Sequence, residues 1–489
     1  MKQIKHVLGF VLAMVMTIAM SMTVMADTTT YNISVPSDDN HSYSIYQIFT
    51  GDYKEGVLSN VKWGANGTGT KGEAVDDAIL QELEGTTGTD AEKLAVIKKY
   101  FDADSAAVGT ATKAAPYKAA PGYYLIKDAA DLSGTEDSYT IYIVKINGPV
   151  EITRKAKTPE SFKKVKDTND SVANSTTGWQ DSADYDIGDT VPYKLTATLP
   201  DNVSSYTKFT LKFVDDISKG LTYVKTTKIT IDGKEIALVE AAATSETSSY
   251  EGGTVYQWDL GDVKALGATD KSVVEIEYEA KLNEDAVLGS DGNPNKMHIT
   301  FSNNPNWNGE GTPEEGKTPD DTVIVFTYKV VVNKTHKVDG KDQPLEGAGF
   351  KLYKKVDGEY KQIGDELVGG ELTTFEFKGL DDGDYKIEES KTPGGYNTIE
   401  PIEFTITADH DVLSDNPALT KLSGDRKSGE VVTFTPDTEK GSLTTDVENK
   451  KGKTLPTTGG AGTRLIYILG AILVIGGGVL LVARKRMAA

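Results

Sequence analysis

The chain has 489 residues, no cysteine and a formal net charge of −21, from 52 Lys and Arg against 73 Asp and Glu. This length is enough for about three domains. The negative charge is spread through the chain, which argues against a nucleic-acid partner and suits a solvated extracellular surface. Because cysteine is absent, disulfides do not stabilise the fold.

The chain begins with a pattern typical of a secretory signal peptide. Two lysines precede an apolar stretch from Val7 to Met20, and small residues follow at Val24–Ala26. Such a segment is removed on export. We therefore predict a signal peptide over residues 1–26 and a mature chain that starts at Asp27.

The segment from Glu73 to Phe101 has helical periodicity. Its apolar residues recur at helical spacing, at Ala74, Ile79, Leu80, Leu83, Leu94, Ile97 and Phe101. Thr89 and Glu92 form a capping box for the second of two helical segments. The first domain is therefore predicted to be β-structure with helical insertions.

Most of the remaining chain predicts short β-strands. Alternating apolar and polar residues, separated by Gly, Asp, Asn and Pro, are typical of β-sandwiches. The clearest runs are Tyr139–Ile146, Phe209–Val214, Val273–Ala280, Thr322–Val332, Phe350–Tyr353, Ile402–Thr407 and Val431–Thr435. The predicted fold class is mainly β, with tandem immunoglobulin-like or Cna-type sandwiches.

Strand ends, proline and glycine predict the domain boundaries. One domain ends near Thr158, before Pro159, and a second change is placed near Val330, after the acidic loop Gly309–Asp321. The predicted parts are the signal peptide (1–26), an N-terminal domain (27–158), a middle domain (159–329), a third domain (330–450) and a terminal segment (451–489).

The third domain resembles a known module. Its matching blocks are Val331–Lys334, Pro344–Tyr353, Tyr385–Tyr396 and Val447–Lys450. In this order they resemble the Cna-B-type (prealbumin-like, SpaA-like) domain of Gram-positive pilins and adhesins. The third block resembles that family's YxLxETxAPxGY "E-box", with Ser390 for Thr and Thr392 for Ala. The resemblance implies an isopeptide bond between Lys334 and Asn449, promoted by Glu389.

The chemistry of such a bond explains these residue types. Burial disfavours the ammonium form of lysine, so the amine becomes a nucleophile toward a carboxamide carbon. A buried, protonated glutamic acid can stabilise the tetrahedral charge and pass a proton to departing ammonia. No external enzyme is required.

The middle domain resembles the isopeptide-forming middle domain of fimbrial proteins. The resemblance rests on Pro159–Asp167, Phe213–Tyr223 and Met297–Pro305. It implies that Lys163 bonds to Asn303, with Asp215 as the promoting acid. The residues next to these three remain alternative assignments, because a shift of one residue along a strand reverses which side chains face the core. These alternatives are Lys164, Asp216 and Asn304.

The first domain and its end resemble parts of backbone pilins. Tyr43–Phe49 and Leu58–Gly64 resemble the amino-terminal pilin domain, without an equally clear isopeptide triplet. Glu151–Pro159 aligns with the pilin motif, although Thr-Arg-Lys replaces the usual Tyr-Pro-Lys. The resemblance implies that Lys155 is the amine that links subunits, with Lys157 as the alternative.

The end of the chain is typical of a sorting device. Leu455-Pro456-Thr457-Thr458-Gly459 precedes an apolar run, Leu465–Ala483, and a basic tail, Arg484–Arg486. The run is long enough to span a bilayer, and the basic tail should remain cytoplasmic. The pentapeptide resembles the LPXTG signal, which a sortase cuts after Thr458 to form a thioester. An ordinary single-span anchor is the alternative.

These features predict a structural protein, the shaft subunit of a covalent pilus attached to peptidoglycan. The implied partners are a pilus-class sortase, a housekeeping sortase, other copies of the chain and minor pilins. The alternative is a monomeric wall-anchored adhesin or a pilus tip protein. The five histidines lack ligand spacing, so no metal or cofactor is expected, although the loop Gly309–Asp321 leaves an ion open. No catalytic motif of an enzyme is present.

Overall fold

The computed structural model describes residues 30–55, 57–86, 95–153, 157–305, 307, 310–452 and 461–487. The strands within these ranges form three pairs of sheets, which follow one another along the chain. The second and third pairs each enclose one hydrophobic core, and the first pair is associated with two smaller ones. The predicted class, mainly β with tandem sandwiches, is confirmed.

The first pair of sheets contains eight strands. They are β1 (Tyr31–Ser34), β2 (Ser42–Lys54), β3 (Val57–Trp63), β4 (Gly109–Thr112), β5 (Tyr117–Ala119), β6 (Gly122–Asp128), β7 (Ile141–Ile146) and β8 (Val150–Glu151). The smaller sheet has the order β5-β1-β8. The larger has the order β3-β2-β6-β7, and β4 also pairs with β2.

Helix α1 (Asp77–Gly85) lies between β3 and β4. Asp76 caps it, because its carboxylate accepts a hydrogen bond from the Ala78 amide at 2.8 Å. Leu80 and Leu83 are buried in the core of the larger sheet. The helical insertion is therefore present, with its apolar face directed as the spacing predicts.

The helix begins later than the predicted Glu73. Ala74 forms a β-bridge with Lys62, so the backbone before Asp76 is committed to strand pairing. Residues 95–98 are also helical, and Ile97 is buried. Thr89 and Glu92 of the predicted capping box lie outside the described residues.

The second pair of sheets contains twelve strands. They are β9 (Glu160–Val165), β10 (Ser182–Asp184), β11 (Thr190–Thr198), β12 (Thr210–Ile217), β13 (Leu221–Ile231), β14 (Lys234–Glu235), β15 (Ala242–Ala243), β16 (Thr254–Asp262), β17 (Val273–Leu282), β18 (Asn293–Ser302), β19 (Glu315–Lys317) and β20 (Asp321–Phe326). One sheet has the order β10-β20-β18-β12-β16-β15, with β19 on β18, and the other has the order β14-β13-β17-β11-β9. A short 3-10 helix covers Val203–Ser205.

The third pair of sheets contains ten strands. They are β21 (Tyr328–Val338), β22 (Lys341–Pro344), β23 (Gly349–Val356), β24 (Glu359–Val368), β25 (Thr374–Leu380), β26 (Gly383–Lys391), β27 (Ile402–His410), β28 (Leu419–Ser428), β29 (Thr435–Asp437) and β30 (Ser442–Glu448). One sheet has the order β22-β21-β30-β29, with β25 on β21, and the other has the order β24-β23-β26-β27-β28.

Two predicted strands differ from the structure. The run Thr322–Val332 is divided at Thr327 into β20 and β21, which belong to different pairs of sheets. Both halves are apolar and no Gly or Pro marks the break, so the sequence pattern was continuous. In Val431–Thr435 only Thr435 lies in a strand, β29, and Val431 is 81% exposed.

Helix α2 (Ala461–Met487) ends the described chain. Ile466–Arg486 covers 21 residues with a mean hydropathy of 2.6 and no burial against the rest of the protein. This segment is long and apolar enough to cross a bilayer, as the run Leu465–Ala483 predicts. Three basic residues occupy its last turn.

A buried lysine joins the middle and third domains. Lys354 of β23 lies 2.6 Å from both Asp381 of its own domain and Asp186 of the middle domain. Asp170 of the middle domain is 3.2 Å away. Burial lowers the pKa of Lys354, but Asp381 and Asp186 raise it by more, so the net shift is upward and the ammonium persists.

We expect Lys354→Met to destabilise the protein by about 3–5 kcal/mol, because the substitution leaves buried carboxylates without a counter-ion. Chemical unfolding of the exported protein measures the loss. Lys361→Met is the matched control, since the Lys361 side chain is 55% exposed and pairs only loosely with Asp357. Equal stability of the two variants would contradict the proposed role of Lys354.

Candidate functional site

In the third domain, Lys334 is directed into the core by strand alternation. Val330, Val332 and Lys334 face inward on β21 and have no solvent exposure, whereas Asn333 faces outward. Strand β30 runs parallel to β21, with Lys334 opposite Val447. The pairing of β30 with β21 therefore brings the carboxyl end of β30 close to Lys334.

Asn449 and Glu389 complete this site. The Asn449 amide nitrogen of the backbone donates to Thr335 O at 2.9 Å, which holds Asn449 just beyond β30. Glu389 reaches in from β26 of the facing sheet. Its Oε1 lies 3.3 Å from Lys334 Nζ, and its Oε2 accepts from Asn449 Nδ2 at 3.2 Å. One carboxyl thus contacts both predicted reaction partners.

The two oxygens of Glu389 have different surroundings. Oε2 also accepts from Ile399 N at 3.1 Å and from Thr392 Oγ1 at 3.3 Å. Oε1 has no hydrogen-bond partner of normal geometry among the described residues, and the same holds for Lys334 Nζ and Asn449 Oδ1. Oε1 is therefore the oxygen that is free to exchange a proton with Lys334.

Burial is the main influence on the Lys334 amine. It lowers the pKa of Lys334, while the Glu389 carboxylate opposes the shift. The aromatic ring of Phe350, with its centroid 5.6 Å from Nζ, forms part of the apolar wall. The Nδ2 atom of Asn449 donates to Asn397 O at 2.8 Å, which fixes the orientation of the amide.

In the middle domain, Lys163 and Asp215 also meet in the core. Lys163 Nζ donates to Asp215 Oδ1 at 2.5 Å and to Tyr278 Oη at 2.9 Å. Tyr278 Oη donates in turn to Asp215 Oδ2 at 2.6 Å. Burial lowers the pKa of Lys163, with Asp215 opposing the shift. Like Lys334, Lys163 is therefore a buried amine beside one carboxyl group, although its Nζ has hydrogen-bond partners.

The open alternatives Lys164 and Asp216 point elsewhere. Lys164 forms an ion pair with Asp181 and is partly exposed. Asp216 accepts from Ser248 Oγ at 2.5 Å and from Ser249 N at 2.8 Å. Since both are one residue away from the buried pair, strand alternation places them on the opposite face.

Asn303 is not brought to Lys163. Asp215 is opposite Met297 in the pairing of β12 with β18. Asn303 lies six residues further, about 20 Å along an extended strand. Its Nδ2 instead donates to Leu132 O at 2.9 Å and to Asp137 O at 3.1 Å, both in the first domain. Asn304 Nδ2 donates to Glu314 Oε2 at 2.5 Å.

Asn295, and not Asn303, is the asparagine that lies beside Asp215 and Tyr278. It is opposite Ile217, two residues from Asp215, and it is fully buried. Its Nδ2 donates to Tyr278 Oη at 2.7 Å, and its Oδ1 has no partner among the described residues. We therefore replace Asn303 by Asn295 as the candidate partner of Lys163.

Sequence reasoning missed Asn295 and Tyr278. Alternation along β18 directs Asn295, Met297 and Phe301 inward, but Asn303 has the same parity. Parity alone could not separate the two asparagines. The pairing of β18 with the strand that carries Asp215 was needed.

The linkage residues at the two ends are only partly described. Lys155, Thr458 and the whole motif Leu455–Gly459 lie outside the described residues. Lys157 is described, and its side chain is 59% exposed with an ion pair to Asp201 at 3.6 Å. It is thus accessible, whereas Lys163 and Lys334 are enclosed.

Three family models match segments of the chain. A model of the SpaA prealbumin-like fold domain matches residues 332–416, and a model of the Gram-positive pilin backbone subunit 2, Cna-B-like domain, matches residues 187–305. A model of the LPXTG cell wall anchor motif matches residues 447–488. Separate segments of the chain therefore match a pilin backbone domain, a prealbumin-like domain and a cell-wall anchor.

Two curated proteins are similar to the chain. The trypsin-resistant surface T6 protein of Streptococcus pyogenes is 26% identical over 396 residues, which cover 68% of this chain and 70% of that protein. Fimbrial subunit type 1 of Actinomyces viscosus is 25% identical over 299 residues, 52% of each chain. The solved structure of the T6 backbone pilin of S. pyogenes covers 88% of this chain and 100% of its own, with a TM-score of 0.53 and 19% identity. At this identity the structural likeness shows a shared fold.

Proposed function

We infer that this chain is a backbone pilin, the repeating shaft subunit of a pilus anchored to a Gram-positive cell wall. The observation that carries this function is the order of its parts. A pilin backbone domain, a prealbumin-like domain and an LPXTG anchor with an apolar helix follow one another in one chain. Such a protein is a structural sortase substrate that polymerises with other pilin subunits.

Within the third domain, we propose that Lys334 and Asn449 form an isopeptide bond without an enzyme. Lys334 Nζ gives a proton to Glu389 Oε1, 3.3 Å away. The neutral amine attacks Cγ of Asn449, and the tetrahedral intermediate expels its nitrogen. The Glu389 carboxyl gives that proton to the departing Asn449 nitrogen and takes the second proton from the attacking nitrogen of Lys334. Ammonia leaves, one amide replaces an amine and a carboxamide, and Glu389 ends protonated.

The middle domain would form the same bond between Lys163 and Asn295. Asp215 takes the part of Glu389, since its Oδ1 accepts directly from Lys163 Nζ. Tyr278 contacts the lysine, the aspartate and the asparagine through one hydroxyl. It therefore orients the amide nitrogen of Asn295 beside the acid that must protonate it.

These bonds would protect the two domains that carry load. Force that enters at Lys155 and leaves at Thr458 passes through the middle and third domains and largely bypasses the first. A covalent link from the first strand of each domain to an asparagine of a late strand prevents the strands from separating. Each link closes a loop of more than a hundred residues, which restricts the unfolded chain by roughly 4–5 kcal/mol on the chain-entropy estimate.

We propose that the polymer forms when Lys155 of one subunit attacks the Thr458 thioester of another, held on a pilus-class sortase. One amine and one carboxyl per subunit give an unbranched head-to-tail filament. A housekeeping sortase would transfer the finished shaft to peptidoglycan, and minor pilins would join it by the same chemistry. Lys157 is the alternative amine.

We expect the intact mass of the exported protein to be lower, by two molecules of ammonia, than the mass calculated from its mature sequence. For the Glu389→Ala variant we expect a difference of only one ammonia. The variant lacks the group that moves the proton from Lys334, so Asn449 keeps its nitrogen. Intact mass spectrometry measures both values. Glu388→Ala is the control, because Glu388 lies on the other face of β26 and its exposed carboxylate contacts Lys386. An unmodified mass for the parent protein would refute both bonds.

The same measurement distinguishes Asn295 from Asn303. Asn295→Ala should lose one ammonia instead of two, because the middle-domain bond has no carboxamide to attack. Asn303→Ala should still lose two, since Asn303 contacts the first domain. A reversed result would restore Asn303 as the partner of Lys163.

Wall extracts test the linkage between subunits. We expect Lys155→Ala to abolish the ladder of high-mass species that resists hot detergent, and Lys157→Ala to leave it. Peptide mapping of the parent ladder should give a branched peptide that joins Lys155 to Thr458. A single band from the parent protein would instead support a monomeric wall-anchored adhesin.

A further inference from the structure

A second buried cluster lies where the middle domain meets the third domain. His410, at the end of β27, faces Asp184, at the end of β10, and Asp167, which follows β9. The side chain of His410 is 7% exposed and that of Asp184 is 2% exposed. His410 Nε2 is 3.8 Å from Asp167 Oδ2 and 4.0 Å from Asp184 Oδ1. We call these three residues the junction cluster.

The hydrogen bonds of Ser182 define the state of the histidine. Ser182 Oγ lies 2.6 Å from Asp411 O and 2.7 Å from His410 Nδ1. A carbonyl oxygen only accepts, so the single hydroxyl proton of Ser182 goes to Asp411. Nδ1 must then carry the proton that it donates to Ser182 Oγ. In the neutral ring, Nε2 therefore presents a lone pair to the two carboxylates.

The two carboxylates of the junction cluster lack a cation. Asp167 Oδ1 accepts from Thr168 N at 2.9 Å, which leaves Oδ2 directed at His410. Asp184 Oδ2 has no hydrogen-bond partner among the described residues. Within the same part of the chain, neither carboxylate forms an ion pair with lysine or arginine. Three acceptor groups therefore converge in a buried space.

Burial and mutual repulsion disfavour the charged forms of these carboxyl groups, and either a proton or a bound cation relieves that cost. Burial raises the pKa of Asp167 to about 7, and the nearby Asp382 carboxylate adds to the shift. Burial, Asp167 and Asp382 raise the pKa of Asp184 as well. The nearby Tyr328 hydroxyl also has a raised pKa, because of burial and the Asp184 carboxylate.

We propose that the junction cluster binds a divalent first-row transition cation, of which Zn²⁺ is the best representative, through His410 Nε2 and the carboxylates of Asp167 and Asp184. The three ligand atoms lie within 4.8 Å of one another. A tetrahedral cation at about 2.0–2.2 Å needs ligand atoms about 3.4 Å apart, so the carboxylate oxygens, 3.8 and 4.0 Å from Nε2, would move inward by about half an ångström on binding. Imidazole with carboxylate favours such metals over Ca²⁺ or Mg²⁺.

The Ser182 contact supports a metal rather than a second proton at Nε2 of His410. A ligand histidine usually donates its other ring N–H to a fixed acceptor, as His410 does to Ser182. A doubly protonated ring would instead donate from Nε2 to a carboxylate, but the 3.8 and 4.0 Å separations exceed a hydrogen bond.

The cation would link two domains that the proposed isopeptide bonds do not connect. Lys163–Asn295 and Lys334–Asn449 each lie within one domain. The metal would hold residues 167 and 184 of the middle domain to residue 410 of the third. This inference does not depend on the proposed function, since the cluster involves none of the cross-link residues.

The experiment uses the full exported protein after chelation and dialysis, with Zn²⁺ alone as the probe. Elemental analysis and titration calorimetry should give one tightly bound zinc per chain. His410→Gln and Asp184→Asn should each weaken binding at least tenfold. His298→Gln is the matched control, since His298 Nδ1 lies 3.0 Å from Asp320 Oδ1 on the surface, and it should bind zinc as the parent does.

Circular dichroism verifies that each variant is folded, and the Asp184→Asn variant tests the site if His410→Gln is unstable. Zinc should also raise the unfolding temperature of the parent protein and of His298→Gln, but not that of the cluster variants. Absence of a tight zinc site in the parent, or equal binding by His410→Gln, would overturn the proposal.

Discussion

The structure depends on lysine side chains that are enclosed among apolar residues and beside carboxyl groups. Three lysines are buried among the described residues, Lys163, Lys334 and Lys354. The first two each face a single acid, and burial lowers their pKa values. Lys354 faces Asp381, Asp186 and Asp170, and its pKa is raised. A buried lysine beside one carboxyl group can therefore lose its proton and react, whereas a buried lysine beside three carboxylates remains a cation.

The same contrast explains why an asparagine accompanies only two of these lysines. Asn449 and Asn295 each have a buried Oδ1 without a hydrogen-bond partner in the described structure, and Lys334 and Glu389 have unpaired atoms as well. Unpaired buried polar atoms are costly in a finished protein. Three such atoms meet at the third-domain site, Lys334 Nζ, Glu389 Oε1 and Asn449 Oδ1, as expected of a core before an amide forms there. Lys354 has ion pairs instead and needs no reaction.

The sequence predicted the third-domain site better than the middle-domain site for a physical reason. Lys334, Glu389 and Asn449 each lie within a block that has its own pattern, so no strand pairing had to be known. In the middle domain, Asn295 lies on β18 and Asn303 just beyond its end, with the same alternation, and only the pairing of β12 with β18 distinguishes them. The alternation of inward and outward side chains can be read from one strand, whereas the register depends on the strand that pairs with it.

Features that depend on contacts between domains could not be predicted at all. The division at Thr327 falls inside a continuous apolar pattern, since each half pairs in its own sheet. The residues around His410 are far apart in the sequence, at 167, 184 and 410, so no ligand spacing exists. By contrast, the membrane-spanning segment Leu465–Ala483 could be predicted from the sequence, because length and hydropathy are properties of the segment itself.

The junctions between domains differ chemically from the domain cores, and this difference bears on how a shaft would extend. Asn303 contacts the first domain through backbone carbonyls, and Tyr139 N donates back to Asn303 O at 2.8 Å. The next junction contains Lys354 and the cluster at His410, which are polar and non-covalent. Covalent links inside domains would remove strand separation as a response to force. Extension would then be concentrated at the junction between the middle and third domains, where ionic contacts can break and form again without loss of the fold.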